Sequence, residues 1–287
     1  MFKICIIICI VLIILLVLVI IESLRELRMV RTVTYDIESD KVTKDKTFVF
    51  ISDYHEAHHL NDKIKSAIDE VSPDAVLIGG DMINGTDHDP QDMIRSAGEL
   101  LRDISKKYPV YYAFGNHEIK LWNLNYEAWK QYESSFGSDI NLLSNKSTSL
   151  EGNIKLYGLG VPPEYYGRGF GFPRLSKDKI NELIGEVDKN SFSILLGHAP
   201  DFIEGYTGWG ADLSLAGHFH GGMVRLPIVG GVISPRLLLF PKYDYGLYIH
   251  NSKREIVTNG LGQHSIKLRL NNIPEIVQIN IRKTKGR

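Results

Sequence analysis

Five short clusters in the sequence hold the residue types that bind cations and move protons. They are Asp53-Tyr54-His55, Gly80-Asp81, Gly115-Asn116-His117-Glu118, Gly197-His198 and Gly217-His218-Phe219-His220. Asp53, His55, Asp81, Asn116, His198, His218 and His220 together form a mixed oxygen and nitrogen ligand field without thiolates. Such a field suits Mn, Fe, Zn or Co better than Mg or Ca, which prefer oxygen shells. These side chains are too many for one ion and fit two ions sharing a carboxylate, an arrangement used for in-line attack on phosphorus. In extended chain, residues i and i+2 share a face, so Asp53 with His55, and His218 with His220, are expected to present donors in pairs. Glycine before the later clusters lets backbone and ion approach closely.

Each cluster follows an apolar run. The patterning predicts strands at Thr47–Ser52, Ala75–Ile78 and Val110–Phe114, alternating with helices at Asn61–Val71, from Pro90 to about Lys106, and at Leu124–Phe136. Strands in the second half are expected at 155–159, 193–196, 213–216, 247–250, 255–258 and 276–281, interrupted by one helix at Lys177–Val187. This order implies an α/β fold of two mixed β-sheets packed face to face with flanking helices. Ligands in open α/β sheets gather at the carboxyl ends of strands, where all five clusters fall.

The chain has 287 residues, a net charge of −1 and 44% apolar residues, an ordinary globular composition. It carries no broad basic face, so no stable nucleic-acid partner is expected. The two cysteines, Cys5 and Cys9, lie in the run from Ile4 to Ile21, which has no charged residue and spans roughly 27 Å as a helix. Glu22-Ser-Leu-Arg follows, with no small-residue cleavage pattern, so an uncleaved anchor is expected rather than a signal peptide. The domain reading is an anchor at 1–22, a juxtamembrane tether and entry at 23–46, and one catalytic domain at 47–287. Arg25, Arg28 and Arg31 favour a cytoplasmic domain by the positive-inside rule.

The succession D-x-H, G-D, G-N-H-E, G-H and G-H-x-H from Asp53 to His220 resembles the calcineurin-like metallophosphoesterases. The apolar N terminus, the run Gly217 to Gly222, and the tail from Phe240-Pro-Lys-Tyr243 to Pro274-Glu-Ile276 resemble the bacterial membrane-anchored branch of that family. The resemblance implies a first metal held by Asp53, His55 and His220, a second held by Asn116, His198 and His218, and Asp81 bridging them. It implies that His117 contacts the phosphate and protonates the leaving group. It also implies a surface-facing domain, against the arginines; the expectation is a single-pass protein of the cell membrane with the domain outside. Tyr54, Phe219 and Met223 depart from the family's usual residues and bear on substrate fit.

The expected activity is hydrolysis of a phosphoester or phosphoanhydride by attack of a metal-bridging hydroxide, with two divalent transition-metal ions as cofactors. The expected partner is a lipid-linked or envelope-associated phosphodiester; the alternatives are soluble nucleotides or, in a different class, a catalytically silent membrane scaffold. Glu118 reads as a first-turn helix carboxylate. His58, His59, His88, His250 and His264 are weaker candidates, Gly260-Leu-Gly262 is expected near the site, and Pro162–Pro173, with Arg168, reads as a lid or a surface loop.

Overall fold

The computed structural model describes residues 2–85, 89–137, 139–167, 171, 173–263 and 267–284. In chain order the first half holds α1 (Phe2–Glu26), β1 (Arg31–Ser39), β2 (Lys46–Ile51), α2 (Asn61–Val71), β3 (Ala75–Ile78), α3 (Pro90–Met93), α4 (Glu99–Ser105), β4 (Val110–Tyr112), α5 (Asn116–Leu124), α6 (Tyr126–Ser134) and β5 (Ile140–Leu142). The second holds β6 (Lys146–Leu150), β7 (Ile154–Gly158), α7 (Lys177–Ile184), β8 (Phe192–His198), α8 (Ile203–Trp209), β9 (Leu213–Ala216), β10 (Arg225–Leu226), β11 (Gly230–Gly231), β12 (Gly246–His250), β13 (Lys253–Val257) and β14 (Glu275–Lys283).

Two six-stranded mixed sheets result, ordered β1-β14-β2-β3-β4-β5 and β12-β13-β9-β8-β7-β6. Strands β2 to β5 run parallel in the first, as do β7, β8, β9 and β13 in the second. Of these, β2, β3, β8 and β9 are buried on both faces, which explains why they read as unbroken apolar runs. Alternate residues split between layers. Phe48, Phe50 and Leu77 meet Leu156, Ile194 and Leu215 between the sheets. Val49, Ile51 and Val76 instead face Ile64 of α2 and Leu100 of α4, and Leu195 faces Ile180 of α7 and Tyr206 of α8.

The structure departs from the sequence reading at several elements. Residues 31–39, read as tether, form β1, paired in parallel with β14 from Arg31 opposite Glu275 to Ser39 opposite Lys283. It is an edge strand in which Val33, Tyr35 and Ile37 alternate with polar residues, a period-two signal that the tether reading passed over, and its partner lies 244 positions away. The helix expected at Leu124–Phe136 begins at Asn116 and breaks at Asn125, whose side chain caps Ala128. The sequence reading has no α8, β5 or β6; all three are short, and β5 and β6 carry no fully buried residue while α8 is buried at Ile203, Tyr206 and Trp209.

α1 is exposed along its apolar length, while Ser23 and Glu26 at its end are buried against the body. It is the helix among the described residues that is long and apolar enough to cross a membrane.

Candidate metal centre

Three loops nest at the carboxyl ends of β2, β3 and β4. The backbone N–H of Asp53 donates to Gly80 (3.0 Å) and that of His55 to Asp81 (3.1 Å), zipping the first loop onto the second. Gly80, at φ 96°, leaves no room for a Cβ, which would strike the backbone nitrogen of Gly115; a Cβ on Gly115 would strike the Asp81 carboxylate. Glycine is required at both places by this close approach. Glu118, fully buried, fastens the arrangement: its carboxylate accepts from the backbone N–H groups of Asp81, Met82 and Gly115 and from the Tyr112 hydroxyl, at 2.7–2.8 Å. The expected first-turn carboxylate therefore also joins two strand-end loops.

From the other sheet, β8 delivers His198 and the loop after β9 delivers His218 and His220. Ligand-capable atoms of Asp53, His55 and His220 lie within 4.8 Å of one another, as do those of Asp81, His198 and His218, and those of His55, Asp81 and His117. The Asp81 Oδ2 atom stands 3.2 Å from His198 Nε2 and 3.9 Å from both His55 Nε2 and His117 Nε2. Asn116 Oδ1 is 3.2 Å from His198 Nε2. All seven expected ligands thus converge, with Asp81 common to two of the three groups.

Local geometry differs from the extended-chain expectation. Asp53, His55, Asp81, His198, His218 and His220 all have left-handed φ, between 46° and 61°. In that conformation i and i+2 need not share a face, and His218 joins His198 and Asp81 while His220 joins Asp53 and His55. Asn116 and His117 sit in the first turn of α5 rather than in extended chain, which turns both toward the crevice.

Two buried carboxylates and the imidazoles around them set one another's charge. Burial pushes Asp53 up to about 6, with the Asp81 carboxylate adding to the rise against the pull of His198. Burial also works against the charge on Asp81, but His198, His117 and His55 around it hold its carboxyl well below the usual range. Burial opposes a charged His198, yet Asp81, Asp53 and Glu118 raise it to about 9. Burial, followed by the charge of His198, holds His218 well below its ordinary value; burial and the Arg269 guanidinium bring His220 down to about 3. Neutral imidazoles are the metal-binding form. Buried His218 Nε2 and His220 Nδ1 have no hydrogen-bond partner among the described residues. His198 Nδ1 lies 2.8 Å from the carbonyl of Gly79, the kind of outer contact that orients a ligating imidazole. The donor set fits transition-metal ions.

Among the weaker candidates, Gly260 and Gly262 do approach the site. A Cβ on Gly260 would strike Asp53, and Gly262 donates to the Asp53 carbonyl at 2.6 Å. His58 and His59 are exposed in a short 3-10 turn outside the cluster, with His59 Nε2 3.0 Å from the Leu27 carbonyl. His250 ends β12 at the sheet edge. His88, Arg168 and His264 lie outside the described residues. Tyr54 is buried and donates to Asn61, Phe219 is buried with its ring 5.8 Å from that of His218, and Met223 follows the glycine pair at φ 50°. Sequence reading missed Tyr166, whose ring packs edge-on to His218 at 5.4 Å, and Arg236, which lies over the Tyr166 ring at 5.7 Å. It also missed Arg269, whose guanidinium donates to the carbonyls of Asn259, Gly260, Gly262 and Asn272. An arginine in a polar tail carries no local mark of such burial.

The calcineurin-like phosphoesterase family model matches residues 46–222. A metallophosphoesterase of Campylobacter jejuni is 30% identical over 268 residues, covering 90% of this chain; the chain spans 65% of that protein's length. The metallophosphoesterase YkuE of Bacillus subtilis is 27% identical over 244 residues, covering 82% of this chain and 76% of its own. The phosphodiesterase YaeI of Escherichia coli is 25% identical over 238 residues, covering 81% of each chain.

Proposed function

The chain belongs to the calcineurin-like phosphoesterase family, and from that premise we propose that it is a membrane-anchored, metal-dependent hydrolase of a lipid-linked or envelope-associated phosphodiester. The observation that carries this reading is that one group of buried ligand atoms, Asp53, His55 and His220, adjoins a second, Asp81, His198 and His218, with Asp81 also within reach of His55 from the first. Asp53, His55 and His220 would hold one ion, Asn116, His198 and His218 a second, and Asp81 both. Bound there, the ions would supply Lewis acidity that activates water and neutralises phosphoryl oxygens. Their identity within the Mn, Fe, Zn and Co group stays open in this reading.

His117 is the proposed proton donor to the leaving group. Its side chain keeps 15% exposure, against 1% for His55 and His198, so it can reach a substrate. Its backbone N–H donates to Asp81 Oδ1 at 2.9 Å, and Gly85 closes on its ring, where a Cβ would lie 2.8 Å from Nδ1. The first contact fixes the main chain at His117, and the second leaves room beside its ring only for glycine.

Two observations support the substrate class. A cleft of about 500 Å³ bordered by Phe114 and Ile119, which flank Asn116–His117 in sequence, and by Trp122 and Leu142 with polar Asn145 and Lys146, offers apolar and polar walls to an amphipathic molecule. The similarity to a phosphodiesterase favours a diester. The proposed side is extracytoplasmic, as the resemblance to the membrane-anchored branch implies, against the opposite preference of Arg25, Arg28 and Arg31.

The test is metal analysis of the purified full chain, followed by assay against phosphomonoesters, phosphodiesters and pyrophosphates. Two transition-metal ions per chain and preference for diesters are expected. Activity that survives exhaustive chelation would overturn the reading.

A further inference from the structure

Large apolar side chains stand in solvent on two adjoining loops beside the metal centre. Ile228 and Val229 at the tip of the β10–β11 hairpin are 107% and 56% exposed, and Leu237, Leu239 and Phe240 are 62%, 67% and 55% exposed. Single exposed aliphatic residues are ordinary; a group gathered on one short meander marks a contact surface. The meander is held by backbone bonds: Val232 donates to Val224 at 2.9 Å and accepts from Phe240 at 2.9 Å, Ser234 donates to Leu238 at 3.0 Å, and Ile233 bridges Leu239.

These loops root beside the end of α1. Val224 forms a bridge with Leu270, and Arg225 donates from its backbone to Leu270 at 2.9 Å. The neighbouring Arg269 and Asn272 donate from their backbones to Ser23 Oγ (3.0 Å) and Glu26 Oε2 (2.9 Å) on α1. The Tyr245 ring binds the insertion to the chain just after that helix, with Arg225 4.8 Å and Arg31 5.5 Å from its centroid. At its other root the insertion leaves the centre itself, since it follows His220-Gly221-Gly222 directly. Asn272 Nδ2 donates to the His220 carbonyl at 2.7 Å, so Glu26, Asn272 and His220 are joined in consecutive bonded steps.

We propose that the loops 226–229 and 237–240 rest in the interfacial layer of the same bilayer that receives α1, holding the metal centre at the depth of lipid headgroups. The occupant is a lipid surface because the loops root beside the end of α1, a helix long and apolar enough to cross a membrane, and carry exposed Phe240 among large aliphatic residues. The proposal deepens the function above, on which only its consequence for substrate depends. A substrate phosphate at that depth is reached without lifting its lipid out of the membrane.

The experiment uses the full chain with Cys5→Ala and Cys9→Ala, reconstituted in vesicles of equimolar phosphatidylcholine and phosphatidylglycerol. An environment-sensitive fluorophore is placed through Ile228→Cys, Leu239→Cys or, as the control at the opposite end of the sandwich before β8, Lys189→Cys. Probes at 228 and 239 should be quenched by spin-labelled lipid and shielded from iodide, and the probe at 189 should show the reverse. Probes at 228 and 239 that behave like the one at 189, or that are shielded without lipid quenching because copies of the chain cover them, overturn the docking. In the same vesicles, Ile228→Asp with Leu239→Asp should lower hydrolysis of a nitrophenyl ester of phosphatidic acid by about tenfold or more, the factor matching the lost transfer of a large aliphatic side chain. Hydrolysis of soluble bis(nitrophenyl) phosphate should be unchanged, and equal losses on both would count against docking. A parent chain inactive on both esters sinks the proposed function, while the quenching result still decides the docking.

Discussion

Asp81 lies 3.2 Å from His198 and 3.9 Å from His55 and His117, so its replacement removes a neighbour common to all three. Asp81→Ala is expected to lower total metal well below half of the parent's content, because both proposed ions lose a ligand; unchanged metal by emission spectrometry would defeat the bridging role. His117→Ala should behave differently. A general acid contributes about 100 to 10,000-fold, and chiefly to esters whose leaving group is a poor anion. The variant should therefore keep near-parent metal, lose little on nitrophenyl esters and lose most of that factor on alkyl esters. Equal loss on both esters would leave phosphate contact as its role, and lost metal would make it a ligand. Glu255 is a different case. It is fully buried on β13, and burial, with Asp201 adding to it against the pull of the Ser214 hydroxyl, raises it well above its ordinary 4.5. A raised carboxylate favours the fold below its unfolded pKa, and that contribution is lost as pH rises through the folded value. Glu255→Gln should thus be more stable than the parent at pH 8, by about 1–3 kcal/mol, with the difference vanishing toward pH 4; thermal melts across that range decide it.

At the scale of elements, the centre depends on loops that touch with nothing between them. Gly217 precedes His218, and a Cβ there would strike the Asp53 carboxylate and lie 2.6 Å from Ser52 Oγ. Gly217→Ala should cost about 1–3 kcal/mol by overpacking and should reduce metal content as well, because it displaces Asp53. Glu118 holds the loops after β3 and β4 through three backbone donors and a tyrosine. Glu118→Gln turns an amide N–H₂ toward such donors and should cost about 2–4 kcal/mol in denaturant titration while also slowing catalysis. A drop in stability at full metal occupancy and unchanged rate would confine Glu118 to the scaffold.

For the whole molecule, the proposed orientation and anchorage are separable. Removal of Met1 to Glu22 spares Ser23 and Glu26, whose side chains bond Arg269 and Asn272, so the body should remain folded and enter the soluble fraction with its activity. Retention of the truncated chain in washed membranes would refute α1 as the sole anchor and is the outcome to compare against the loop surface described above. Protease added to intact cells should digest the domain along with a known external marker, and protection of the domain while the marker is cut would place it inside.

The residues proposed to do chemistry were legible in the sequence because their setting is local: a buried parallel strand reads as an apolar run, and the polar residues that end it stand out against that run. This holds for Ile51 before Asp53, Ile78 before Asp81 and Leu196 before His198, and the same runs imply two mixed sheets. Tertiary structure alone decided how these residues are grouped. His218 and His220 are two apart yet serve different groups, since left-handed φ values break the alternation of extended chain. β1 exists because β14, from the far end of the chain, supplies its hydrogen bonds, and Glu118, Arg269 and Asn272 become supports of the centre only once distant loops lie against them. Contacts of that kind depend on distance in space, and their strength leaves no period or spacing along the chain from which to read them.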